Sequence, residues 1–234
     1  MNIIFTRPFI DSEDLMSSIL NSGFNIIHVP TLSISSANMQ PINTNNYDGL
    51  IFTSANAVRF LKITNSNKNI KCFCVGNLTE KSLRLKGFNN TIAASGTVNA
   101  LKNIIINSEK KFNNLAYLCG DIVSIELDKE LSSEGFKVSK IINYTSSKIT
   151  DLNKETLDLI SKYPANIALI YSMRSAESFD DIVKKYSLLE MMTQCLVMCI
   201  SKKIENFFKL KGWKKTETFN PGEELIKINQ IKNG

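Results

Sequence analysis

Histidine is almost absent from this chain: the 234 residues hold one, His28. Ser-His-Asp catalysis, Cys-His catalysis and histidine-based metal sites would all have to use that single residue. It ends an apolar run and reads as structural. Glycine is scarce as well, with ten residues. Neither G-x-G-x-x-G nor G-x-x-x-x-G-K-[ST] occurs, so the dinucleotide and phosphate-loop signatures are missing. An enzyme built on this sequence is expected to work without a nucleotide or dinucleotide cofactor. No apolar stretch approaches the ~18 residues of a membrane-spanning helix. The start, MNIIFTRPFI, has no basic segment ahead of its apolar residues and is interrupted by Arg7-Pro8, unlike a secretory signal. The expected location is the cytoplasm.

Clustered charge is lacking too. The 28 Lys+Arg against 22 Asp+Glu give a net charge of +6 and a pI near 9.0. Lys110-Lys111, Lys202-Lys203 and Lys214-Lys215 are isolated pairs. The surplus suggests an acidic partner, whether nucleic acid, an anionic membrane surface or a small polyanion, and the lack of a basic helix or Arg-rich arm weakens the first of these. The five cysteines, an odd number, include Cys72 and Cys74 in the run KCFCVG, two apart and so on one face of a strand. They read as reduced, buried thiols.

What is present is a regular alternation. Apolar runs are expected as strands at Asn2–Phe5, Phe24–Val29, Leu50–Phe52, Lys71–Val75, Thr91–Ala94, Leu115–Leu118, Val138–Tyr144, Ile167–Tyr171 and Leu196–Ile200. Amphipathic segments between them predict helices over Glu13–Asn21 (capped by Ser12), Ala55–Ile63, Leu78–Lys86, Thr97–Ile106 and Ile125–Glu134. Such alternation marks an α/β fold with parallel sheets. The pattern also repeats. YDGLIFTSANAVRF (47–60) aligns with NIALIYSMRSAESF (166–179), CVGNLTEKSLRLKGF (74–88) with CISKKIENFFKLKGW (199–213), and LMSSILNSGF (15–24) with LDKELSSEGF (127–136). Three matched blocks predict two similar α/β halves.

In parallel α/β sheets, ligands bind at the carboxyl ends of the strands. The residues there are small or hydroxylic: Thr6-Arg7-Pro8, Thr53-Ser54-Ala55-Asn56, Gly76-Asn77, Ser95-Gly96-Thr97, Cys119-Gly120, Ser172-Met173-Arg174-Ser175 and Ser201-Lys202. A helix is expected after most of them, and its free N–H groups suit a carboxylate or phosphate. A cap for the helix is the simpler role of any one turn; recurrence in both halves favours binding.

The order IIFTRP, LIFTSANAV, CVGNLTEKSLRLKG, a strand ending in Tyr144, then LIYSMRSAESF and ISKKIENFFKLKGW resembles the uroporphyrinogen-III synthase family over nearly the whole chain. The resemblance implies two flavodoxin-like lobes with parallel sheets joined by a two-stranded linker. Lobe one would comprise 1–34 plus 146–234, lobe two 37–143, with linker strands near 32–36 and 143–147. It implies cyclisation of hydroxymethylbilane to uroporphyrinogen III, with inversion of the last ring and loss of water, without a cofactor. It places the assisting acid at Tyr144. It places substrate contacts at Thr6, Arg7, Thr53, Ser54, Ala55, Gly76, Thr79, Ser95, Ser172, Met173, Arg174, Ser201 and Lys202. A monomer is implied, with transient contact with the deaminase that makes the substrate. The sequence departs from the family where Ile204 replaces a frequent threonine, where no arginine occurs near Asp121–Ser124, and where Met173 stands opposite Ser54. Two other readings compete: a two-lobed module that binds a small anion, and an inactive relative of the synthases.

Overall fold

The computed structural model describes residues 1–64, 67–108 and 112–233; the Lys110-Lys111 pair lies outside them. The chain forms two compact units, Met1–Ser33 with Ser147–Gly234, and Ile34–Ser146.

The first unit is built on strands β1 (Asn2–Phe5) and β2 (Asn25–His28), with helix α1 (Glu13–Asn21) between them. Strands β3 (Leu32–Ser36) to β10 follow below. The unit resumes with α6 (Lys154–Lys162), β11 (Ile167–Ile170), α7 (Met173–Lys185), β12 (Leu196–Cys199), α8 (Lys202–Leu210), β13 (Thr216–Thr218) and α9 (Glu224–Asn233). The sheet runs β13-β12-β11-β1-β2, all parallel. Alternate strand residues enter opposite faces, as the period of two requires. Ile4, Ala168, Ile170, Val197 and Cys199 pack with α6, α7 and α8 through Ile160, Phe179 and Phe208. Ile3, Phe5, Leu169 and Met198 pack with α1 and α9 through Ile19 and Ile228. Each fully buried side chain of this size contributes about 1.5–3 kcal/mol.

The second unit holds β4 (Ile42–Asn43), β5 (Gly49–Phe52), α2 (Ala55–Arg59), β6 (Ile63–Thr64), β7 (Lys71–Val75), α3 (Asn77–Leu85), β8 (Thr91–Ala94), α4 (Val98–Ile106), β9 (Leu115–Gly120), α5 (Leu127–Ser133) and most of β10 (Val138–Lys148). Its sheet runs β3-β10-β9-β5-β7-β8. Leu50, Phe52, Cys72, Cys74, Ala116 and Leu118 meet α2 and α3 on one face. Ile51, Phe73, Leu115, Tyr117 and Cys119 meet α4 and α5 on the other. Cys72 and Cys74 therefore share a face, and all five thiols are free and buried. Burial pushes the Cys72, Cys195 and Cys199 thiols up to about 12, and Cys74 and Cys119 up to about 11.

β3 and β10 carry the chain between the units. They pair antiparallel: Thr31 O accepts from Ile149 N, Ser35 Oγ meets Thr145 Oγ1, and Asn143 O accepts from Ala37 N. The matched sequence blocks fall on equivalent elements. β5-α2 corresponds to β11-α7, the end of β7 with α3 to the end of β12 with α8, and α1 to α5. Each half of the chain thus supplies its first strand–helix–strand to the other half's sheet.

Several boundaries differ from the sequence reading. The helix expected over Ala55–Ile63 stops at Arg59, because β-branched Ile63 and Thr64 pair with Ile42 and Asn43 in a small two-stranded sheet. The helix expected from Ile125 begins at Leu127, whose side chain is buried with Leu131. Ser12 does not cap α1: its hydroxyl donates to Pro8 O at 3.2 Å. The segment 33–46, without periodicity in the sequence, holds β3 and β4, set by pairing with β10 and β6.

Candidate functional site

In the second unit the carboxyl ends of β10, β9, β5, β7 and β8 form one edge. Ser54 caps α2, its Oγ accepting from Asn56 N at 3.2 Å, and Ala55 opens that helix. Thr53 Oγ1 lies 3.2 Å from the Tyr117 hydroxyl. Gly76 caps α3 at φ 78°, a left-handed conformation that disfavours a side chain, and its N–H donates to Ala94 O at 3.0 Å. Thr79, one turn into α3, is buried, whereas Ser95 is exposed beyond β8. Tyr144 is half-buried on β10, its ring stacked on Phe60 with centroids 6.4 Å apart.

Around these positions the structure adds two residues that sequence reasoning did not assign to the site, Tyr117 and Asn143, and gives Gly120, already placed at a strand end, a specific neighbour. Tyr117 lies fully in the core with its hydroxyl at Thr53. Burial pushes its hydroxyl well above the ordinary tyrosine range, the Thr53 hydrogen bond opposes this, and Cys119 and Tyr144 add to it. A tyrosine inside the apolar run LAYLCG was the readable signal, since a buried phenol needs a partner. Gly120 lies against Tyr144: a Cβ there would stand 2.7 Å from Cε2 and Cζ of the ring. Asn143 is fully buried and donates through Nδ2 to Ala57 O at 2.6 Å.

In the first unit the corresponding edge joins β12, β11 and β1. Thr6 is wholly buried, its Oγ1 donating to Leu169 O at 2.6 Å, and Thr31 and Ser175 complete a hydroxyl cluster around it. The Arg7 guanidinium covers the Tyr171 ring at 4.8 Å. Burial pushes the Tyr171 hydroxyl up, the charge of buried Glu224 pushes it further, and Arg7 opposes both. His28, beside this edge, has Nε2 2.8 Å from Arg7 O, which fits its structural reading. Ser172 caps α7 by accepting from Ser175 N at 3.1 Å. Met173 packs against the core, and Arg174 is half-buried one residue further along α7. Ser201 stands at the cap position of α8 without a side-chain capping bond, while its carbonyl accepts from Ile204 N and Glu205 N. The Lys202 ammonium bonds Glu205 Oε2 at 2.8 Å.

Each edge therefore offers helix N-termini and hydroxyls, and the first unit's edge adds Arg7, Arg174 and Lys202, a donor set suited to carboxylates. Among the described residues no three His, Cys, Asp or Glu side chains converge as metal ligands.

The family model described as uroporphyrinogen-III synthase HemD matches residues 13–222. The chain belongs to the uroporphyrinogen-III synthase family. Its fold is similar to that of uroporphyrinogen-III synthetase from Helicobacter pylori, with a TM-score of 0.66, 16% identity, and coverage of 100% of this chain and 99% of that one. It is also similar to a mutant uroporphyrinogen III synthase from the extremely thermophilic bacterium Thermus thermophilus, with a TM-score of 0.56, 12% identity, and coverage of 100% and 97%. At such identities the likeness concerns the fold. No curated protein sequence matches the chain. No helix among the described residues is long and apolar enough to cross a membrane.

Proposed function

We propose that this member of the uroporphyrinogen-III synthase family is an active synthase, a cyclising lyase of tetrapyrrole biosynthesis. The carrying observation is the family match over 13–222 on a chain that retains both α/β units. The reaction loses hydroxide from the hydroxymethyl carbon of hydroxymethylbilane, giving an electrophilic azafulvene. Electron-rich pyrrole carbons attack it, the ring closes with the last pyrrole inverted, and one water is lost overall. Such chemistry asks the protein chiefly to fold a flexible substrate into a reactive geometry. Tyr144 is assigned as the donor that assists the departing hydroxide. Its support is its position on β10, with the ring held between Phe60 and Gly120.

The contacts to substrate carboxylates are assigned to Thr53, Ser54, Ala55, Gly76, Thr79 and Ser95 on one edge, and to Arg7, Ser172, Met173, Arg174, Ser201 and Lys202 on the other. Thr6 belongs to the assignment through the backbone at the end of β1, since its hydroxyl is engaged inward. The protein acts as a cytoplasmic monomer without a cofactor, in transient contact with the deaminase that releases its substrate.

The test supplies the purified chain with hydroxymethylbilane made in place by the deaminase, then resolves the porphyrin isomers after oxidation. Isomer III is expected. Isomer I alone, the product of spontaneous closure, would make the chain a binding protein or an inactive relative.

A further inference from the structure

Strand β10 contains an irregularity at the place where the assigned acid sits. Ile142 pairs with Cys119 and Tyr144 with Gly120, so Asn143 is an extra residue opposite the step between two neighbours on β9. This is a β-bulge. Its effect is visible in the packing. Strict alternation would put Tyr144 on the face of Val138, and Ile141 on the opposite one. Instead Ile141 and Tyr144 pack against the same cluster, that of Leu50, Phe52, Cys74 and Leu118, whereas Val138 packs against the other. The bulge has moved the tyrosine across the sheet.

Two features hold it there. The Asn143 carboxamide is fully buried, donating to the Ala57 carbonyl of α2, while its Oδ1 accepts no hydrogen bond from the described residues. A buried, half-satisfied amide costs about 1–3 kcal/mol, so packing alone does not favour it. On the other side, Gly120 leaves the space the ring occupies. We infer that Asn143 is a positioning residue for the ring closure: by pinning the bulge to α2 it turns the Tyr144 ring to the α2 side of the sheet, beside Phe60 at the carboxyl edge, with Gly120 as the seat of the ring. The inference rests on the assignment of Tyr144 made above.

The test has two readouts. Incorporation of 3-fluorotyrosine labels the six tyrosines, and Tyr144→Phe identifies the fluorine resonance of Tyr144. In Asn143→Ala and in Gly120→Ala that resonance is expected to shift while the other five stay in place. In the isomer-III assay both variants should lose at least roughly tenfold in kcat with KM within about twofold, approaching Tyr144→Phe. Adding Asn143→Ala to Tyr144→Phe should change kcat by less than about twofold. An unmoved Tyr144 resonance in the folded Asn143→Ala protein would overturn the inference, as would an equal kcat loss from Asn143→Ala with and without Tyr144. If Asn143→Ala does not fold, Asn143→Asp, which keeps the side chain's shape and removes the donor to Ala57 O, is read by the same two measurements. If the wild type makes only isomer I, the functional reading fails, and the resonance still reports on whether Asn143 directs the ring.

Discussion

Glu205 lies buried on α8 and accepts hydrogen bonds from the ammonium groups of both Lys202 and Lys209. These bonds, that from Lys202 foremost, hold its carboxyl below the usual carboxylate range. A carboxyl lowered on folding favours the folded state above its unfolded value of about 4.3. The gain disappears as pH falls through the lower folded value. Glu205→Gln should therefore have a lower urea midpoint than wild type at pH 7, and the two curves should converge on acidification below about pH 4. Parallel curves down to the lowest accessible pH would remove Glu205 from the acid response. The triad also directs the Lys202 charge along its own helix, which the sequence did not show. Thr6 teaches the same lesson. The TRP segment marks it as a hydroxylic turn residue, yet the hydroxyl points inward to a carbonyl 163 positions away. Residue type is legible in a sequence; the direction of a side chain at a strand end is not.

At the scale of elements, two similar turns behave differently. Ser172 caps the 13-residue helix α7, which buries Phe179, Ile182 and Val183, whereas Ser201 occupies the same place on α8 without a capping bond. Ser172→Ala should destabilise the protein by about 1 kcal/mol, read as a lower urea midpoint at unchanged slope. Ser201→Ala should leave the midpoint within about 0.5 kcal/mol. Equal losses from both would show that cap geometry does not govern these helices. Any rise in KM for Ser201→Ala is then attributable to lost substrate contact. The alternation of strands and helices was readable because periods of 2 and 3.6 are local properties of the sequence. The early end of α2 was not, because it depends on Ile63 and Thr64 pairing with a strand about twenty residues upstream. Strand β13 and helices α6 and α9 also escaped; α9 shows little segregation of apolar residues onto one face, with only Glu224 and Ile228 buried.

For the whole molecule, the two sheets share one order of equivalent strands, and each half of the chain completes the other's sheet. Both carry hydroxylic turns at their carboxyl edges, the first unit's with Arg7, Arg174 and Lys202 besides, on a chain of net charge +6. If these edges hold the carboxylates of the tetrapyrrole, capture is partly electrostatic. KM for hydroxymethylbilane should rise between about 0.05 and 0.5 M monovalent salt, as the screening length falls from more than 10 Å to less than 5 Å, while kcat changes little. A KM indifferent to salt would mean that backbone N–H groups and shape do the holding without help from net charge.

The sequence by itself determined the α/β class, the internal repeat, the near-absence of histidine chemistry and the likeness to one family. Each of these is carried by local periodicity or by residue identity. Only the tertiary structure decided which hydroxyls turn inward, where α2 ends, and on which face Tyr144 emerges. The bulge at Asn143 is the clearest case: VSKIINY reads as one uninterrupted strand. The extra residue exists only because β9 supplies Cys119 and Gly120 as partners and α2 supplies the Ala57 carbonyl. Those groups are brought together by sheet pairing and helix docking between segments far apart in the chain, which a local pattern does not encode.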